Sequence, residues 1–243
     1  MWTIFNQELR SFFSSLIAYI VIGSFLLFLS LMLFVFPEFS LLESGYASLD
    51  PFFELAPNVL LFLIPAITMR SMAEEKQLGT LELLMSKPIG IGEIVWGKFF
   101  GAVCLVIFAL LPTLFYFYTV YELGFPKGVI DTGATWASYL GLLLLSSAFV
   151  SIGIWASSLT DNQIVAFLIS LFTSFFMYYA FGFLAKLPVF FGKWDLIVQK
   201  LGMDFHYYSL SRGVLDTRDI IYFLSVTVIF ILFTKYSLRN AKI

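Results

Sequence analysis

Glu74-Glu75-Lys76-Gln77-Leu78-Gly79-Thr80-Leu81-Glu82-Leu83-Leu84 stands between two charge-free apolar runs, Leu55–Met69 and Phe99–Tyr121. A bilayer core of about 30 Å takes about 20 apolar residues to cross as a helix. A charged group at mid-bilayer costs at least about 2.5 kcal/mol, so long charge-free runs mark spans. Working outward, the same test picks out Leu16–Phe36, Thr132–Thr160, Asn162–Ala185 and Ile220–Thr234. The expectation is an all-α polytopic membrane protein with about six transmembrane helices. The second run is the weakest, being short and interrupted by Pro57 and Pro65. Asp161 alone separates the fourth and fifth, which predicts a tight hairpin turning at Thr160, Asp161, Asn162 and Gln163.

Composition agrees. Of 243 residues 60% are hydrophobic and only 12% charged, whereas soluble domains are about 25% charged. A net charge of −2 without a basic block excludes a nucleic-acid partner. A single cysteine, Cys104, and a single histidine, His206, rule out an internal disulfide and leave no ligand set for zinc or an iron–sulfur cluster. Glu8 and Arg10 precede the first run and no small-x-small site follows it, so it reads as a retained span rather than a cleaved signal.

Lysine and arginine placement orients the chain. With both termini inside, the internal segments hold Arg10; Arg70, Lys76, Lys87 and Lys98; and Lys235, Arg239 and Lys242. The first external loop holds Glu38, Glu43, Asp50 and Glu54 and no basic residue, and the second only Lys127. The third, Lys186 to Asp219, carries Lys186, Lys193, Lys200, Arg212 and Arg218 against the rule, but the first span usually dominates the choice. Before that span, Trp2, Phe5, Leu9, Phe12, Phe13 and Leu16 recur at helical spacing opposite Thr3, Asn6, Gln7 and Arg10, the pattern of an interfacial helix. Leu187–Leu201, with Pro188, Phe190, Phe191, Trp194, Leu196 and Ile197 among charges, reads as a shallow or re-entrant helix on the outer face. No linker to a soluble domain is visible. Residues 1–243 form one membrane domain: an interfacial helix at 1–15, a cytoplasmic segment at 70–95 and an outer segment at 186–219.

Catalytic patterns fail one by one. Gly92 to Lys98 spells most of a phosphate loop, but Phe99 replaces the magnesium-holding Ser or Thr and no strand precedes it. Gly97 and Gly101 read more simply as a small-xxx-small face for close helix contact. His206 lies among aromatics beside the membrane, where packing or hydrogen bonding is the ordinary role, and Cys104 behaves as a small apolar residue. No run contains the aspartate pair of an intramembrane protease, or the buried acid or base of an ion-coupled carrier. Energy for transport would then arrive from outside the bilayer, through a soluble motor docked on an internal loop.

The segment from Arg70 onward suits that role, though a simply solvated charged loop would have the same composition. Leu78, Leu81 and Met85 share a helical stripe beside Leu84, Gly79 bends the helix, Thr80 is placed to cap the next turn, and Lys87-Pro88 ends it.

Pro65-Ala66-Ile67-Thr68-Met69-Arg70-Ser71, then Glu74-Glu75, Gly79-Thr80-Leu81-Glu82-Leu83-Leu84 and Pro88, resembles the signature of ABC-2 type transporter permeases. Asp204-Phe205-His206-Tyr207-Tyr208-Ser209-Leu210-Ser211-Arg212-Gly213-Val214, followed by Asp216 and Asp219, is similar to the outer segment of the same family. Within it the chain most resembles the gliding-motility-associated permease subunits (GldF type), with the nitrous-oxide-reductase maturation permeases as near relatives. Tyr208 departs from the small or acidic residue expected in the outer motif.

The resemblance implies a half-transporter in a bacterial inner (cytoplasmic) membrane. It would pair with a second permease subunit, identical or related, and with a separate ABC ATPase subunit, surrounded by membrane lipid. No cofactor would sit in this chain, ATP and Mg being bound by the ATPase. Glu74, Glu75, Gly79, Thr80 and Glu82 would lie where permease and ATPase meet, and His206, Ser211, Arg212 and Gly213 on the outer face. The expected function is ATP-driven export, with gliding motility or secretion as its setting. The alternative is a scaffold that recruits an ATPase to a motility or secretion machine without moving cargo. Ser146, Ser147, Ser151, Ser157 and Ser158 in the fourth span suit either a polar passage or serine-mediated helix packing.

Overall fold

The computed structural model describes residues 1–41, 45–86, 88–188, 192 and 194–240, without the side chain of residue 17. Glu43, Lys87, Phe190, Phe191, Lys193 and Lys242, which entered the sequence reading, lie outside them. The described residues are helical, with no strand among them. Five helical stretches are long and apolar enough to cross a membrane, or six if the first bent pair is one span.

That pair is α1 (Trp2–Phe13) and α2 (Leu16–Phe34), which meet at 71°. Then follow α3 (Asp50–Thr68), α4 (Arg70–Gln77), α5 (Thr80–Met85), α6 (Ile91–Leu110), α7 (Leu114–Leu123), α8 (Thr132–Leu159), α9 (Gln163–Phe175), α10 (Phe181–Ala185), α11 (Asp195–Gln199), α12 (Met203–Leu210) and α13 (Thr217–Asn240).

The bundle is built around α8, which packs against α3, α6, α9, α12 and α13. Its sequence explains the position. Association in lipid depends on close backbone approach, which small side chains permit, and α8 carries Gly141, Ser146, Ala148, Ser151, Gly153, Ala156 and Ser157, all buried. A Cβ added at Gly141 would stand 2.5 Å from Leu210 Cβ, and one at Gly153 2.0 Å from Thr68 Oγ1. The hydroxyls of Ser146, Ser147, Ser151 and Ser158 donate to carbonyls of their own helix (Leu142, Leu143, Ala148 and Trp155). These intrahelical bonds satisfy the hydroxyls without help from a neighbouring helix, and Ser146, Ser151 and Ser158 are buried. Trp155 meets Phe230 of α13 edge to face at 5.4 Å.

The hairpin expected at Thr160–Gln163 is present: Asn162 Oδ1 accepts from the Ile164 and Val165 amides at 2.9 and 3.4 Å and caps α9. The second span is longer than its charge-free run. Helix α3 starts at Asp50, passes through Pro57 and Pro65, and with α4 makes a 28-residue stretch. Proline at 57 has no N–H, which frees the carbonyl of Phe53 four residues back. Tyr207 Oη, from α12, donates to that carbonyl at 2.8 Å. A proline-broken ladder in a membrane survives when a neighbour restores the lost bond, and here the neighbour is a phenol 154 positions away.

The third span also differs. It runs as one 33-residue stretch, Ile91–Leu123, through a 3-10 turn at Leu111–Thr113 containing Pro112, and so takes in Lys98. In the segment expected on the outer face, α12 buries Met203, His206, Tyr207 and Leu210; in Leu187–Leu201, of which residues 189–191 and 193 lie outside the described residues, the described helix is the five-residue α11.

Replacing Tyr207 with Phe is expected to cost about 1–3 kcal/mol by leaving a buried carbonyl unpaired. Combining it with Pro57→Ala, which restores the amide donor, should recover most of the loss. Thermal unfolding of the two single variants and the double variant in detergent checks this cycle.

Candidate functional site

At one end of the bundle α1, α4 and α5, with the start of α2, the end of α3 and the middle of α6, surround a cleft of about 520 Å3. Helix α4 is the platform. Its first amides need acceptors, and its own sequence offers no side-chain cap. The acceptor comes from α8: Ser157 Oγ takes hydrogen bonds from the Met72 and Ala73 amides, each at 3.0 Å, and donates to the Met69 carbonyl at 3.0 Å. Lys76 Nζ donates to the Ser158 carbonyl, which also accepts from Ser237 Oγ of α13 at 3.2 Å. The platform is thus fastened to the fourth and last spans.

Lys98 is the second fastening. It is 1% exposed. Its ammonium pairs with Glu8 of α1 and with Glu75 of α4, the latter at 2.8 Å, and donates to the Ser71 carbonyl at 2.7 Å. A buried lysine is tolerated when paired and fully hydrogen-bonded, and three acceptors meet its three donors. Lys98 stands one residue before the charge-free run Phe99–Tyr121, on the same helix. Gly97 and Gly101 flank it on the side facing α1. An added Cβ would come 3.0 Å from Ile4 and 2.9 Å from Glu8 Cβ. The small-xxx-small face therefore receives Ile4 and Glu8, while Trp2, on the apolar face expected of an interfacial helix, is exposed on the protein surface.

The five expected docking residues divide. Glu75 turns inward to Lys98, and Glu74 lines the cleft. Gly79, Thr80 and Glu82 are exposed, flanked by Leu78 at 69% and Leu83 at 66% exposure, while Leu81 is buried. Gly79 holds a left-handed conformation, φ 69°, that ends α4 and turns the chain into α5. Thr80 does not cap α5. Its hydroxyl donates back to the Glu75 carbonyl at 3.3 Å, because Gly79 occupies the cap position.

The outer-motif residues also divide. His206 Nδ1 lies 2.7 Å from Asp219 Oδ1 and its Nε2 2.9 Å from the Lys200 carbonyl, with the ring stacked on Tyr222 at 3.9 Å. Both ring nitrogens are occupied, so His206 ties α12 to α13 and offers no free base. The Ser211 carbonyl accepts from Ser138 of α8 at 3.0 Å. Gly213, φ 80°, passes so close to Ala134 that a Cβ would stand 2.5 Å from its backbone. Arg212 is exposed and lies 4.0 Å over the Tyr208 ring, which gives Tyr208 a cation–π role.

The sequence model described as ABC-2 family transporter protein matches residues 2–239. The chain belongs to that family. Comparison with curated proteins found no match. As an ABC-2 protein it is a multi-pass membrane protein and a permease component of an ABC transporter, a family that works with an ABC ATPase. In this ABC-2 permease, Glu8, Lys98, Ser157 and Tyr207 escaped sequence reasoning. Lys98 had one available signal, its place beside Gly97 in the small-xxx-small face, and Glu8 had none. Ser157 and Tyr207 had none, since a serine among serines and a tyrosine among aromatics do not reveal a distant backbone partner.

Ser157→Ala in the permease should leave two buried amides of α4 unpaired, at about 1–3 kcal/mol per lost acceptor. Amide exchange at Met72 and Ala73 should quicken while exchange in the middle of α8 stays slow.

Proposed function

We propose that the chain is the transmembrane subunit of an ABC-2 exporter, with segment 70–95 receiving the ATPase. The observation that carries this is a division of labour within one segment. Helix α4 is fixed to α8 and α6 by Ser157 and Lys98, while α5 and the Gly79 turn present Leu78, Thr80, Glu82 and Leu83 outward. An apolar pair rimmed by a carboxylate suits a partner surface with a hydrophobic centre and a basic rim. Motion of that surface would pass through α4 into the spans joined to it. ATP and Mg belong to the ATPase in this reading, and no residue of this chain is assigned to them. The functional unit is a pair of permease subunits with two ATPase copies in a bacterial inner membrane, both termini cytoplasmic. Gliding motility or secretion is the setting favoured by the sequence resemblance.

Glu82→Lys combined with Leu83→Ser should weaken binding of the co-purifying ATPase about tenfold or more, as loss of a central apolar contact and a charge does at interfaces. Membrane insertion should be normal. Unchanged capture of the ATPase rejects docking at this surface. ATP turnover without movement of any cargo by the reconstituted complex would favour the scaffold role over transport.

Orientation has its own test. A cysteine replacing Thr80 in a Cys104→Ser background should react with a membrane-impermeant maleimide only in inverted vesicles. Labelling from the outside of intact cells would remove the docking surface from any cytosolic motor.

A further inference from the structure

Helices α1 and α4 are separated along the cleft, whose walls include Gln7, Ser11 and Phe12 on one side and Glu74, Leu78 and Leu83 on the other. Among the described residues no hydrogen bond or ion pair joins α1 to α4 directly; each reaches the ammonium of Lys98. Helix α1 is otherwise held by Gly97 and Gly101 of α6, and α4 by Ser157 of α8. The two helices thus rest on different spans, and one buried cation closes the base of the gap between them.

We propose that Lys98 is a positioning residue that makes α1, α4 and the start of α6 move as one body, so that displacement of the α4–α5 surface also carries the N-terminal helix. The role in transport rests on the docking function proposed above. The linkage itself does not.

The chemistry favours a linkage over two separable contacts. The ammonium has three donors and three oxygen partners, from Glu8, Glu75 and Ser71. Parting α1 from α4 would leave either carboxylate or the ammonium short of a partner in a buried place, and breaking a buried pair on one side only is the costly operation. Neighbouring helices in a packed core shift as discrete bodies rather than deform continuously. The bond therefore selects which helices shift together. Helix α5 carries the displacement outward and α1, lying across the start of the first span at 71° to it, receives it.

The test uses the full chain in lipid nanodiscs, with Cys104→Ser and spin labels on cysteines replacing Arg10 of α1 and Glu82 of α5. A control pair joins Glu82 and Asp161, which spans the Ser157 fastening and not Lys98. The variant is Glu8→Ala. It keeps the Cβ that packs against Gly101 and leaves Lys98 its Glu75 and Ser71 partners, so the platform stays assembled.

The expected result is a narrow 10–82 distance distribution in the native chain. In Glu8→Ala it should broaden or shift by about 2–5 Å, the scale of helix slippage, with the 82–161 distribution unchanged. Glu8→Asp, which restores the charge, should recover part of the narrow distribution. A 10–82 distribution already broad in the native chain, or one unaffected by Glu8→Ala, overturns the linkage. With the co-purifying ATPase bound and nucleotide added, the native 10–82 distance should hold while both helices move relative to α13. Helix α5 moving without α1 also overturns the linkage. Failure of the ATPase to bind would instead count against the docking function and leave the unliganded measurement to decide the linkage.

Discussion

In a bilayer a backbone amide or carbonyl without a partner costs several kcal/mol, and no water is at hand to supply one. The organisation of this permease follows from how that demand is met away from regular helix. Proline 57 deprives the Phe53 carbonyl of its donor and Tyr207 of α12 supplies one. The start of α4 has orphan amides and Ser157 of α8 accepts from two of them. Each repair joins segments far apart in sequence, so satisfying the backbone also assembles the tertiary structure. Helix α8 makes this possible, because Gly141 and Gly153 let α12 and α3 come close enough for such bonds to form.

The two ends of the bundle use charge differently. At the cleft end, an ammonium bonded to oxygens from α1 and α4 binds three helices that the chain connects only loosely. At the other end the His206–Asp219 pair joins two neighbouring elements, and Ser209 donates to the second carboxylate oxygen of Asp219. The Lys98 ammonium and the His206 ring are each bonded at every nitrogen donor, the condition under which buried ions are tolerated, although in the first cluster Glu75 Oε2, Ser71 Oγ and Arg70 Nε are buried without a hydrogen-bond partner among the described residues. Both border clefts: the first has exposed α5 at its rim, and the second, with Tyr222 stacked on one face of the His206 ring, lines a cleft with Asp204, Asp216 and Arg218.

Much of the fold was legible because hydropathy in a membrane protein is set by the solvent itself. Thr132–Thr160 and Asn162–Ala185 match α8 and the α9–α10 stretch almost residue for residue, and the hairpin between them was fixed by Asp161 and the capping Asn162. Helix limits differ from the runs where charge was taken as a boundary. Lys98 bounds the run Phe99–Tyr121, yet the helix extends back through it to Ile91, with its buried ammonium paired to two glutamates. The site was half legible. Exposure of Gly79, Thr80 and Glu82 is what a charged turn between two spans leads one to expect, whereas the inward turn of Glu75 follows from its pairing with Lys98, 23 positions later, and periodicity within one segment holds no information about it.

Gly79 has a consequence for how such a subunit changes over evolution. Its left-handed turn sits in open space, with nothing within 4 Å of where a Cβ would be, and it separates the anchored α4 from the short α5. Apart from Leu81, the tip beyond the turn supplies little to the interior. If the tip is the docking surface proposed above, partner choice drifts through a handful of outward residues while the membrane body keeps its shape. On that proposal, subunits of this build trade motors by exchanging a fingertip and leaving the hand alone.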